Sequence, residues 1–315
     1  MTGLSIAYNL KGKKITLFDK SWRPGGRVST RIHDNYFFDH GAHYLSVNHN
    51  VLQLNELINK LNIAKEIEID FATNYLKNKK TKKKIIIGKD GMNSIPKSIF
   101  ENISLNNYFN TKIIKIKKNN KGAYTLYSDR EEFKNFDYVL ICIPYLQSKE
   151  LSSNLIDFNK IMHEPSYDPI HTIMLSYKGK NNINLSGGLH LHKDISFFMN
   201  QNIKFKNLID ECWVLNMSSE YTKTNIDIDD KSLEKYAQTI FENTFKIKNK
   251  IRFIKSHRWL YAQTNISYNS LSKKYWINSK DNKIFLTGDW VIGKSLSDAW
   301  NAGEKLSHYI KILTV

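Results

Sequence analysis

Asp19-Lys20-Ser21-Trp22-Arg23-Pro24-Gly25-Gly26-Arg27-Val28-Ser29-Thr30-Arg31, followed by Phe38-Asp39-His40-Gly41-Ala42-His43-Tyr44-Leu45, is the stretch on which the fold turns. The apolar run Ile15–Phe18 reads as a short strand that stops at Asp19. A loop then carries Pro24 and two adjacent glycines, Gly25 and Gly26, where the backbone can approach a ligand closely. Arg27 adds a planar fork suited to a phosphate. Of the 47 basic residues only 6 are Arg, so finding Arg23, Arg27 and Arg31 close together favours a functional segment over a plain turn. The second piece reads as an apolar strand, Tyr36–Phe38, that ends in the small residues Gly41 and Ala42 before His43.

Working outward, residues 2–11 have the spacing of an amphipathic helix, with Gly3 at its start and Gly12 as its stop. In dinucleotide folds an acid at the end of the second strand holds the adenosine ribose, and the pyrophosphate rests on the first helix N-terminus. Asp19 and Gly3 stand in that relation, although an ordinary helix–strand unit has the same outline. At the far end, Ile284–Leu286 is a short strand running into Thr287-Gly288-Asp289-Trp290, and Ser297–Ile310 is a closing helix with small residues on its first turns. Such an N-terminus favours partial negative charge.

Between these ends, Val51–Leu61 is helix-like, 66–88 read as strands around a Lys-rich turn, and Met92–Phe100 is a helix that tolerates Pro96 only in its first turn. A hairpin spans 110–127 with its turn at Asn119–Gly122, and the run Tyr138–Ile143 suits a strand buried on both faces. Residues from about 170 to 217 alternate as strands, Lys231–Phe245 is helical, and Ile251–Trp259 is a strand. Helices alternating with short strands at both ends of a β-rich middle predict an α/β nucleotide-binding fold with an α+β insertion.

Composition narrows the function. The chain has 315 residues and a net charge of +17, and 41% of its residues are hydrophobic, enough for a sizeable core. The Lys excess sits on an Asn- and Ile-rich background, and Lys77, Lys79, Lys80, Lys82, Lys83 and Lys84 read as a solvated hairpin tip more readily than as a polyanion surface. No nucleic-acid fold signature accompanies them, so no specific nucleic acid is expected, though the charge can draw in an anionic small substrate. The longest apolar stretch, Tyr138–Leu146, is far short of the roughly 20 residues of a membrane span. The N-terminus has no basic region before its apolar residues and does not read as a secretory signal. Cys142 and Cys212 are the only cysteines, which excludes a disulfide framework and predicts a reduced, cytoplasmic setting. Histidines at metal-ligand spacing and a Gly-x-Ser-x-Gly elbow are both absent, so neither a metal site nor a serine hydrolase is expected.

The two opening segments resemble the FDKSRGPGGR-type and DHGAQY-type segments of the flavin-dependent amine-oxidase-like oxidoreductases, in particular their renalase-like branch. The likeness continues, in order, at Gly91-Met92-Asn93-Ser94-Ile95-Pro96, Asp137–Pro144, His257-Arg258-Trp259-Leu260-Tyr261-Ala262 and Gly288-Asp289. The resemblance implies a Rossmann-like FAD-binding domain of the amine-oxidase type, from residues 1–47, 89–148 and 275–315, with an inserted α+β substrate domain from 48–88 and 149–274. It implies noncovalent FAD. Gly3 matches the last glycine of GxGxxG, Asp19 with neighbouring Lys20 the ribose-binding acid, and Gly25, Gly26 and Arg27 the loop over the FAD phosphates. Gly41, Ala42 and His43 match the segment beside the flavin ring, Ile113 the backbone near the adenine, and Gly288-Asp289 the acid facing the ribityl chain. Ser297, Ala299 and Trp300 match the helix start at the flavin pyrimidine edge.

The chain departs from this pattern at one point: the first strand and the first two glycines of GxGxxG would precede Met1. Family members often carry Met inside that motif, so Met1 is read as an internal methionine with the natural start about ten residues upstream, one strand and its turn. The implied activity is hydride transfer from a reduced nicotinamide isomer or an amine to flavin, with reoxidation by oxygen to hydrogen peroxide. His257, Trp259 and Tyr261 are the candidates on the substrate side, on one face of an alternating strand as an aromatic platform, or else plain core aromatics. Alternatives are an enzyme of the same superfamily for polyamines or isoprenoids, and a flavoprotein-like chain without activity.

Overall fold

The computed structural model of the chain describes residues 1–47, 51–161 and 164–314. The first residue of the expected inserted segment, 48, lies outside them.

The helix Thr2–Asn9 buries Leu4, Ile6 and Ala7 and leads through a turn to the strand Thr16–Phe18. That strand pairs in parallel with Asn106–Tyr108. A second parallel pair, Val139–Ile141 with Ile284–Leu286, is extended by the antiparallel strand Ile277–Asn278. The two sheets share no ladder. Ile15–Phe18 from one and Tyr138–Ile143 from the other line the same cavity, and Leu17, Phe18 and Leu140 stay only half-buried there. Val139–Ile141 is therefore covered less completely than its apolar run predicts.

The closing helix, Leu296–Leu313, starts with a capping box in which Ser295 Oγ accepts from Asp298 N and the Asp298 carboxylate accepts from Ser295 N. It lies against the first helix so closely that a Cβ on Gly303 would fall 2.6 Å from the Thr2 carbonyl. The ends of the chain are thus packed on one another. Ser5 Oγ, donating to the Trp300 carbonyl at 2.8 Å, ties them.

The β-rich middle is one eight-stranded sheet. Its order is Ile251–Ile266, Ser166–Tyr177, Glu211–Met217, Ile195–Asn200, Gly187–His192, Ala64–Asn74, Lys79–Gly88 and Leu45–Ser46. Its neighbours are antiparallel except Gly187–His192 with Ala64–Asn74. The helix Asp230–Phe245 covers one face, burying Leu233, Ala237 and Phe241 at helical spacing against Ile173, Leu175, Trp213 and Leu215. Most of the Lys tract is in a strand: Lys79–Lys84 belong to Lys79–Gly88, and only Lys77 sits in the expected turn. Lys82 and Lys84 pair with Asp70 and Glu66 on the facing strand, and Lys83 donates to the Tyr44 hydroxyl. Two of the six lysines are thus neutralised by acids of their own sheet.

Candidate functional site

Segments from both ends of the chain meet at one cavity of about 2700 Å³, more than a single drug-sized ligand needs. The helix Thr2–Asn9 points its N-terminus at it. The amides of Thr2, Gly3 and Leu4 precede the first intrahelical bond, Ser5 N to Met1 O, and these residues line the cavity with unspent donors. Asp19 follows the first strand, and its carboxylate accepts from Ser21 N at 2.8 Å, which holds the loop entry. Asn93 pins the next turn by donating to the Pro24 and Val28 carbonyls at 3.1 and 3.2 Å. Gly25 needs to be glycine, because its φ is +122° and a Cβ would lie 2.8 Å from the Val28 carbonyl.

Arg27 is the junction. One Nη donates to the Tyr261 and Ala262 carbonyls at 2.9 and 3.1 Å, and the other meets Asp289 at 2.6 Å. Its own carbonyl accepts from Ala42 N at 2.9 Å, and a Cβ on Gly41 would stand 1.9 Å from that oxygen. Arg27 therefore contacts both Ala42 and Asp289. Three of the five guanidinium N–H groups are spent on protein, which leaves two for a ligand. The carbonyls it grips are available because Asp168 pairs with Gln263 while Ile170 pairs with Trp259, so Leu260–Ala262 bulge opposite Pro169. Proline has no N–H to give a ladder, and the bulge follows.

The bulge breaks the expected alternation. His257 and Trp259 form a wall with His40: ring centroids are 4.3 Å apart for His257–Trp259, 5.1 Å for His40–His257 and 5.3 Å for His40–Trp259. Trp259 Nε1 donates to the His40 carbonyl at 3.0 Å. Tyr261 turns instead to Tyr167, edge-on at 5.4 Å. Burial lowers the His40 pKa to about 3 and that of His257 to about 4, and Arg31 adds to both shifts by charge repulsion.

His43 stacks on Phe197 at 4.2 Å. Its Nδ1 faces the Asp39 carbonyl, an acceptor, so the proton is on Nδ1. Nε2 then accepts from the Asn216 amide at 3.0 Å, and Thr172 Oγ1, donating to Asn216 Oδ1, fixes that amide. Burial, then the nearby Lys204, lowers the His43 pKa to about 3. Lys204 is itself buried against Asp39 at 2.8 Å and donates to the His43 carbonyl at 2.6 Å. Burial lowers its pKa, against the pull of Asp39.

Gly3, Asp19, Lys20, Gly25, Gly26, Arg27, Gly41, Ala42, His43, Ile113, Asp289, Ser297, Ala299, His257, Trp259 and Tyr261 all line the cavity. Gly288 and Trp300 do not. Trp300 is fully buried and donates through Nε1 to Gln53 at 2.9 Å, so it belongs to the core under the first helix. Gly288 serves as the cap of a short helix, Asp289–Ile292. Among the described residues there is no cluster of metal-ligating side chains and no helix long and apolar enough to cross a membrane, and both cysteines are free.

The family model for NAD(P)-binding Rossmann-like domains matches residues 1–61, and that for flavin containing amine oxidoreductases matches residues 69–310, most of the chain. The chain belongs to the flavin-containing amine oxidoreductase family. Its fold is similar to that of a protein assigned as a protoporphyrinogen oxidase from Exiguobacterium sp. 255-15, with a TM-score of 0.77 at 12% identity over 99% of this chain and 97% of the other. It is similar to wild-type putrescine oxidase bound to putrescine, with a TM-score of 0.72 at 11% identity and the same coverage. As a flavin-containing amine oxidoreductase the chain is an FAD-dependent oxidoreductase. The cavity fits that cofactor: unspent helix amides, a carboxylate after the first strand, and the tightly packed glycines Gly25 and Gly41 all line it.

Proposed function

We propose that this flavin-containing amine oxidoreductase belongs to the renalase-like branch and oxidises a small planar substrate, a reduced nicotinamide isomer, with oxygen as electron acceptor. FAD would be held noncovalently, its pyrophosphate against the Gly3 helix start and the Gly25–Arg27 loop and its ribose at Asp19, in the Rossmann-like part expected from 1–47, 89–148 and 275–315. When bound, the flavin supplies a two-electron acceptor that takes a hydride and passes both electrons to oxygen as hydrogen peroxide. The substrate ring stacks on the wall of His257 and Trp259, with His40 closing it from the side. The bulge at Leu260–Ala262 couples that wall to the Arg27–Asp289 pair, so orientation of the substrate and of the cradle depend on one element.

The supporting observation is the ring wall of His257, Trp259 and His40, beside which burial makes His40, His43 and His257 too weakly basic, with pKa values near 3 to 4, to take a proton from an ammonium ion. A dihydropyridine gives up hydride by its ring nitrogen lone pair and needs no base. An amine arrives as an ammonium ion and must lose a proton first. Anaerobic bleaching of the yellow protein tests this. Reduced nicotinamide isomers should bleach it at a rate flat from about pH 6 to pH 9, because the three imidazoles stay deprotonated well above their pKa values. Bleaching by putrescine-like amines alone, faster as pH rises, would overturn the proposal.

A further inference from the structure

Arg23, Arg27 and Arg31 meet three different fates. Arg23 donates to Ser29 Oγ at 3.2 Å and to the Thr30 carbonyl at 2.5 Å, and Arg27 is held by Asp289. Arg31 has no hydrogen-bond or ion-pair partner among the described residues. It is only half-buried, on the strand Thr30–His33 opposite Phe38. Strand alternation sends Thr30 inward to Asp39 and leaves Arg31 facing the other way.

There it lines two spaces at once: the large cavity, and a second one of about 550 Å³ bounded by His171, Asp227, Asp230, Lys255, Ser256, His257 and Arg258. Arg31, His257 and Arg258 are common to both, so the second space adjoins the first at the substrate wall. Its charges do not cancel. Asp227 pairs with Arg258 at 3.2 Å; Asp230 pairs with Lys255 at 3.4 Å and accepts from Ser256 Oγ at 2.6 Å. Each acid has its own cation, and Arg31 is left over. A planar fork with five donors, beside neutral imidazoles, suits an oxyanion and repels an ammonium ion.

The geometry points to an anion subsite in this second cavity, in which Arg31 anchors a phosphate or carboxylate carried by the substrate whose ring lies on the His257–Trp259 wall. This rests on the proposed function for the ring but not for the anion. The substrate class narrows accordingly to anionic dihydropyridines, excluding cationic amines. Arg31 acts as a specificity residue and touches no reacting atom.

Two arms test it. Inorganic phosphate, against chloride at matched ionic strength, should raise the melting temperature of the holoenzyme and not of Arg31→Gln, with flavin content equal in both. Equal stabilisation of the two would overturn the subsite whatever the enzyme oxidises. In the second arm, kcat/KM is compared for reduced nicotinamide mononucleotide, its phosphate-free riboside, and a carboxymethyl dihydronicotinamide. The preference of the wild type for an anionic compound over the riboside should fall about ten- to hundredfold in Arg31→Gln, the loss of one charge-assisted contact, and recover in part in Arg31→Lys. Whichever anionic compound loses more identifies phosphate or carboxylate as the natural group. An unchanged preference would overturn the assignment. Failure to oxidise any dihydropyridine, with phosphate still bound at Arg31, would refute the proposed function and leave the subsite standing.

Discussion

Lys204 and Asp39 form an ion pair with both side chains at 0% exposure. Burial costs such ions their hydration, and the pair persists because further hydrogen bonds hold both ions. Asp39 accepts from Thr30 Oγ1 at 2.6 Å and from Met92 N at 2.9 Å, and Lys204 donates to the His43 carbonyl. The pair therefore supports the His43 turn directly. Removing one partner strands a charge: Lys204→Met should cost on the order of 3–5 kcal/mol, lowering the melting temperature by roughly 10 °C. Lys204→Met with Asp39→Asn should recover most of the loss, because an amide oxygen keeps both accepted bonds. A single variant that melts like the wild type would show that the pair contributes nothing to the fold. Asp39 was visible in the sequence as part of a dense small-residue motif, but Lys204 was not. It is one of 41 lysines, and only the fold brings it to a partner 165 residues away.

At the scale of elements, the helices and most strands follow from periodicity, because each buries one face: Leu233, Ala237 and Phe241 on one helix, Leu4, Ile6 and Ala7 on another. Ends and irregularities escape it. Ile251–Ile266 runs seven residues past the expected Trp259, since the signal is blurred where Leu260–Ala262 bulge opposite Pro169. The Lys tract read as a turn by composition, yet β pairing with Glu66 and Asp70 makes it a strand. The contact between the first and last helices was also unreadable, because it depends on what Gly303 lacks. A Cβ there would meet Thr2 O at 2.6 Å and Ser5 Cβ at 2.8 Å, in a helix that otherwise favours Ala over Gly. Overpacking should win: Gly303→Ala is expected to destabilise by about 1–3 kcal/mol and to weaken flavin retention, as the cavity-lining N-terminus is pushed aside. Thermal melting with a flavin count checks it, and a stabilised variant would show that the helices separate freely.

The whole molecule is held at one crossing. The loop after the first strand, the bulge of the long strand and the segment before the last helix are far apart in sequence, and Arg27 touches all three. The sequence revealed the first and last of these by their motifs; it could not reveal that Arg27 spends most of its fork on protein, since neither bulge carbonyl has a sequence signature. The consequence is that cofactor binding and folding share a hinge point. A ligand that binds only the folded state at a hundred times its Kd adds about 2.7 kcal/mol, so FAD added to the apoprotein should raise the melting temperature by on the order of 5 °C. Arg27→Ala loses the Asp289 pair and leaves two carbonyls and a buried carboxylate without their donor. Its apoprotein should melt lower, and its affinity for FAD should drop about tenfold or more, the worth of one charge-assisted contact. Titrating the melting shift against FAD concentration separates the two effects, because a purely structural lesion lowers the baseline without moving the half-saturation point. If the half-saturation point stays where it is in the wild type, Arg27 braces the protein alone, and the cofactor must be gripped by the helix amides and Asp19 without it.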